Sequence, residues 1–117
     1  MSLKFENLIA WQKSKELAIT IYSATDNYPR EELYAITSQT NRAVISIMSN
    51  IAEGSSRRSN KDFYRFIEIA IGSAFELESL LIVAHERKYI ASKEKERLDK
   101  IISEVEKLLN GLMRKLK

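Results

Sequence analysis

At 117 residues, with 44% hydrophobic and 30% charged side chains, the chain is sized for one domain, residues 1–117, that can bury a core without disulfides or a structural metal. Cysteine is absent, which excludes disulfide and thiol chemistry and fits a reducing, cytoplasmic setting. Nineteen Lys plus Arg against sixteen Asp plus Glu leave +3, too little to demand a polyanionic partner, and no apolar run approaches the ~20 residues of a membrane span or an export signal.

Three glycines, one proline and apolar spacing at three, four and seven residues predict an all-α chain. A first helix is expected over 7–25, capped by Asn7, with Leu8, Trp11, Ala18, Ile21 and Tyr22 on its inner side. The Asp26-Asn27-Tyr28-Pro29 segment ends it. Pro29 suits the first turn of a second helix over 30–53, where Glu31 and Glu32 complement the helix dipole and Gly54 is the expected stop. That helix carries three stripes. Ile36, Thr40, Ala43, Val44, Ile47 and Ile51 share one face, Ile45, Met48 and Ala52 lie opposite, and Gln39, Arg42, Ser46, Ser49, Asn50 and Glu53 run between them.

Ser59, with Asp62 three residues on, resembles a capping box, so a third helix is predicted over 59–88, interrupted only by Gly72. Ser92 is the expected cap of a fourth helix, whose Leu98, Ile101, Ile102, Val105, Leu108, Leu109, Leu112 and Leu116 make one apolar stripe beside a wet face of Glu and Lys. Short connections between long helices favour antiparallel neighbours, giving an up-down-up-down four-helix bundle.

The third helix has two apolar seams. Phe63, Phe66, Ile67, Ala70, Ala74, Leu77, Leu81 and Ala84 form one; Tyr64, Ile71, Phe75 and Ile82 form another, rotated by about 100°. The second seam packs either on a neighbouring helix of the same bundle or on another copy. Together with Ile45 and Met48 on the second helix it predicts a homo-oligomer, since the alternative is an apolar patch larger than soluble monomers usually expose. The polar stripe has a comparable pair of readings. Gln39, Arg42, Ser46, Asn50 and Glu53, with Ser73 and Glu76 from the third helix, could line a pocket of paired carboxylates, but a satisfied buried network that registers helices is the expectation.

Arg57, Arg58, Lys61 and Arg65 face only Asp62 between positions 54 and 65, so this turn alone carries +3, the excess of the whole chain. They are either solvated or a phosphate-contacting patch, which assembly would repeat around an axis. The three glycines are isolated, so no phosphate loop is present. His85 is the only histidine and stands three residues after Ile82, which leaves no Glu-x-x-His metal motif. No cofactor, metal site or catalytic constellation is expected, and the chain reads as a non-enzyme.

Gln39, Arg42, Ser46-Ile47, the run Asn50-Ile51-Ala52-Glu53-Gly54, Arg57, Ser59, Phe63, Phe66, Ala70, Gly72-Ser73 and Glu76-Leu77-Glu78, with Phe5-x-x-Leu8-x-x-Trp11-Gln12 and Tyr28-Pro29-x-Glu31, resemble the four-helix-bundle proteins encoded in 23S rRNA intervening sequences. The likeness covers nearly the whole chain. It implies a ring-like homopentamer, and relatives that include an accessory protein binding nucleic acid and a reverse transcriptase. The function expected is therefore an oligomeric binding module that contacts RNA or other nucleic acid through Arg57, Arg58, Lys61 and Arg65; the alternative is a structural adaptor for a protein partner such as a reverse transcriptase. In two places the chain departs from the family pattern, at Thr40-Asn41 and at His85-Glu86-Arg87-Lys88.

Overall fold

The computed structural model describes residues 4–117, in which the apolar periodicity becomes four long helices: α1 (Ile9–Thr25), α2 (Ile36–Ser55), α3 (Asn60–Glu86) and α4 (Ser92–Leu116). Single 3-10 turns, Phe5–Asn7 and Arg30–Glu32, precede α1 and α2. In cross-section the bundle is a square: α1 packs on α2 and α4, α3 packs on α2 and α4, and the diagonal pairs do not meet. Short connections make successive helices antiparallel, and the molecule measures 46 × 24 × 20 Å. Among the described residues there is no strand.

The core is the set of inward stripes. Leu17 and Ile21 of α1, Val44, Ile47 and Ile51 of α2, Ile67, Leu77 and Leu81 of α3, and Leu98, Ile102, Val105 and Leu109 of α4 are fully buried. Burying each such side chain is worth roughly 1.5–3 kcal/mol. Ala70, Ala74 and Ala84 are fully buried on α3 and bring only a methyl to the core, so neighbouring helices can approach closely.

The helix ends differ from the sequence expectation, each for a local reason. Asn7 does not cap α1, because residues 5–7 wind into a 3-10 turn and Leu8 takes the cap position without a side-chain bond. The second helix starts at Ile36, six residues late. The ring of Tyr28 lies 5.6 Å from that of Tyr89, and Tyr89 Oη donates a 2.7 Å hydrogen bond to Glu32 Oε2, which ties the turn after Pro29 to the α3–α4 connection. Tertiary contact thus outweighs the local helix signal, and the chain breaks at Ala35, with φ −122° and ψ −110°.

Gly54 is not a stop. It is helical and buried, and a Cβ there would stand 2.8 Å from both Phe63 Cδ1 and Phe66 Cβ, so its role is to let α2 and α3 close on each other. Ser59 caps α3 as expected, accepting from the Asp62 amide at 3.1 Å. α3 then ends at Glu86 rather than 88: Lys88 takes φ 65°, its amide donates to His85 O at 2.9 Å, and the Tyr89 amide reaches back to Ala84 O at 2.8 Å. This is a Schellman ending with lysine where glycine is usual. Ser92 is the first residue of α4, not its cap; Ala91 holds that position, and the Ser92 hydroxyl pairs with His85 Nε2 at 3.0 Å.

Candidate nucleic-acid interface

The basic turn is built by two helix ends that close over a short loop. Ser55 and Ser56 donate back to the carbonyls of Ala52 and Glu53, both at 2.7 Å, and so finish α2; the Ser59 cap starts α3. Arg57, Arg58, Lys61 and Arg65 are all exposed on this corner. They are not equivalent. Arg57 pairs with Glu53 at 3.4 Å and lies 4.7 Å over the Phe66 ring, so its charge is partly compensated and its plane is fixed. Arg58, Lys61 and Arg65 have no carboxylate within ion-pair distance among the described residues. Tyr64 beside them is half-buried.

The fold adds cations from the wet face of the fourth helix. Because α4 runs antiparallel to α3, its tail returns to the end of the bundle where α3 begins, bringing Lys107, Arg114, Lys115 and Lys117 to the level of the α2–α3 turn. The Lys13–Glu104 ion pair, 2.9 Å, and the cleft shared by residues 7–10 and 107–115 fix α1 and α4 in that register. Counted over 4–13, 50–66 and 104–117, this end holds ten Lys or Arg against five Asp or Glu, a net +5. The remainder, 14–49 and 67–103, holds nine against eleven, a net −2. The chain's mild excess is therefore a strong polarity along the long axis. A sequence signal existed: the parity of the helices decides which terminus returns to which end.

Of the polar stripe, three residues are joined. Asn50 Nδ2 donates to Ser46 O at 2.8 Å and to Ser46 Oγ at 3.1 Å, and Ser46 Oγ lies 2.7 Å from Ser73 Oγ across the α2–α3 seam. Since Asn50 donates to Ser46, the Ser46 hydroxyl is free to donate to Ser73. Ser73 is buried, and Ser46 and Asn50 are half-buried. The buried network expected from the sequence is smaller in the protomer: Gln39, Arg42, Glu53 and Glu76 are exposed, and neither Glu53 nor Glu76 pairs with Arg42. Gln39, Arg42 and Glu76 reach water over the rim of a shallow recess that they share with Ser46, whereas Glu53 pairs with Arg57.

The second apolar seam of α3 divides. Ile71 is half-buried and packs on the core, whereas Phe75 and Ile82 remain 59% and 53% exposed. Ile69 and Val83 broaden that outer face of α3. On the far side of the molecule, Ile45 and the half-buried Met48 line a groove with Ile19 and Tyr22 between α1 and α2.

One titratable pair lies outside these surfaces. Glu106 on α4 keeps its Oε2 buried with no donor facing it, and its neighbour is Glu78 on α3. Burial, and next the neighbouring Glu78 carboxyl, push Glu106 up to about 7. Among the described residues no three His, Cys, Asp or Glu side chains gather as metal ligands, and no helix is long and apolar enough to cross a membrane.

Residues 6–111 match the family described as 23S rRNA-intervening sequence protein. The fold is similar to the crystal structure, at 1.70 Å resolution, of a protein of unknown function from the S23 ribosomal protein family of Bacteroides thetaiotaomicron VPI-5482, with 27% identity over 90% of this chain and 98% of that one and a TM-score of 0.83. No curated protein matches the chain. A family match over nearly the full length, on a bundle that superposes on a solved relative, places this chain in the 23S rRNA-intervening sequence protein family.

Proposed function

We propose that the chain is a non-enzymatic, cytoplasmic binding module that self-associates and holds RNA or other nucleic acid on its basic end. The polarity of the bundle carries this reading: +5 at the end formed by the α2–α3 turn and the α4 tail, against −2 elsewhere. Phosphates are recognised by exposed cations, and Arg58, Lys61, Arg65, Arg114, Lys115 and Lys117, none of them ion-paired among the described residues, supply them. Arg57, fixed on Phe66 and Glu53, positions the loop more than it adds free charge.

Two exposed apolar faces support the self-association in this reading. Phe75 and Ile82 on one side and the Ile45 groove on another are two different apolar faces, and a contact between unlike faces closes into a ring when its rotation allows. Five copies is the number implied by the family resemblance. Repetition of the basic end around such an axis converts a modest charge into a multivalent surface.

The test is binding of a labelled single-stranded RNA followed by fluorescence anisotropy. Affinity falls by about 10-fold or more between ~50 and ~200 mM salt if several phosphates are neutralised. Arg58→Glu with Lys61→Glu removes binding while the far-UV helical signal is unchanged. Binding that ignores salt, or no binding at low salt, rejects the proposal.

A further inference from the structure

The basic end holds a cleft that phosphate contact does not explain. It runs between the first turn of α1 and the tail of α4, is open to solvent along its length, has a volume of about 600 Å³, and has an apolar floor to which Ile9, Leu108 and Leu112 contribute. Small-molecule sites typically span roughly 300–1,000 Å³ with such a lining. Ile9 is 63% exposed, a large apolar side chain standing beside the trough rather than in the core. Lys107, Arg114 and Lys115 also line the cleft, no carboxylate does, and none of the three is ion-paired among the described residues.

Gly111 gives a second, independent indication. It lies on α4 between Leu108 and Leu112, where glycine is unfavourable relative to alanine. A Cβ at this position would meet only Arg114 Nη2, at 3.8 Å. Nothing in the bundle therefore requires a glycine there. Gly111 lines the cleft, so any longer side chain there would project into the trough.

We propose that this cleft binds a single amphipathic anion, an alkyl carboxylate, with its chain on Ile9, Leu108 and Leu112 and its head group held by Arg114 and Lys115 beside Lys107. A nucleic-acid phosphate would satisfy the rim and leave the floor wet. A neutral apolar molecule would fill the floor and leave three cations without a partner. Only a ligand with both parts uses the whole lining.

The experiment titrates the full chain with alkyl carboxylates from hexanoate to dodecanoate, below their micelle thresholds, reading heat and amide chemical shifts. It contains no nucleic acid, so its failure leaves the proposed function untouched. Binding saturates at one site, perturbs the amides around Ile9 and Gly111, and tightens about fourfold per added methylene until the trough is filled. An alkyltrimethylammonium of equal length binds at least ~10-fold more weakly, because its head group meets cations. Gly111→Leu fills the trough and favours helix, so it abolishes binding in a protein that remains folded; Arg114→Ser with Lys115→Ser, both exposed, weakens it by about 10-fold or more. Equal affinity for the cationic amphiphile, indifference to chain length, or undiminished binding by Gly111→Leu overturns the proposal. So does association with phosphatidylglycerol vesicles without saturable binding of the free carboxylate, which would identify a membrane-facing surface instead.

Discussion

Gly54 and Gly72 are both helical and would be indistinguishable to a propensity scale, yet the structure assigns them opposite consequences. At Gly54 the nearest atoms to an added Cβ belong to the Cβ of Phe66 and the ring of Phe63, which cannot retreat without shifting α3. Gly54→Ala should therefore destabilise the fold by about 1–3 kcal/mol, the usual cost of overpacking. At Gly72 an added Cβ meets nothing within 4 Å. Gly72→Ala should stabilise the isolated protomer by about 0.8–1 kcal/mol through helix propensity alone. Thermal unfolding followed by circular dichroism at low concentration checks both signs; a rise in Tm for Gly54→Ala would remove close packing as the reason for that glycine. The sequence marked Gly54 as punctuation because glycine so often ends helices. Its packing role depends on Phe63 and Phe66, which only the tertiary fold brings opposite. Lys88 failed to show for the converse reason, since its φ of 65° follows from the turn that docks Tyr89, not from its own residue type.

Pairs of helices were legible where one long stripe dominated. The single apolar face of α4 and the core seam of α3 follow directly from three- and four-residue spacing, and so does their burial. Contacts between helices were not legible, because they join residues far apart in sequence. Glu78 and Glu106 illustrate this. In the sequence Glu78 stands near the polar stripe and Glu106 on the wet face of the fourth helix, but α3–α4 packing sets them side by side with one oxygen of Glu106 shut from water. The folded carboxyl titrates at about 7, above the ordinary 4.5, so the native state prefers the protonated form. Its stabilising contribution is complete below about pH 4.5 and is lost as pH rises through about 7. After allowance for partial solvent screening the effect is about 1–2 kcal/mol. Glu106→Gln, which keeps the neutral shape, should raise Tm at pH 8 and change it little at pH 5. Glu78→Gln, which removes the like charge beside Glu106, should also raise Tm at pH 8. An equal shift at both pH values would show that the pair is not titrating.

For the whole molecule the decisive question is whether a second copy covers the outer face of α3. Ile69, Phe75, Ile82 and Val83 stand exposed on one helix, and Gly72 sits between them with open space above it. A bare glycine amid large apolar side chains is what a closely approaching second backbone requires, and the groove between α1 and α2 presents a different apolar surface that could receive Phe75. Since Phe75 is 59% exposed, Phe75→Glu should cost the protomer fold no more than about 0.5 kcal/mol, the range of ordinary surface substitutions. Placed in a covered interface, the same carboxylate would be desolvated without a partner at a cost of several kcal/mol, on the order of 2–7. Light scattering with circular dichroism separates the two. The unmodified chain should scatter as a multiple of 13.5 kDa, and Phe75→Glu should fall to a single protomer with its helical signal intact. Gly72→Ala should weaken the assembly while raising the protomer's Tm, a combination that no purely intramolecular role produces. A monomeric mass for the unmodified chain at micromolar concentration would leave that face of α3 without a covering copy, and the multivalent basic surface would go with it.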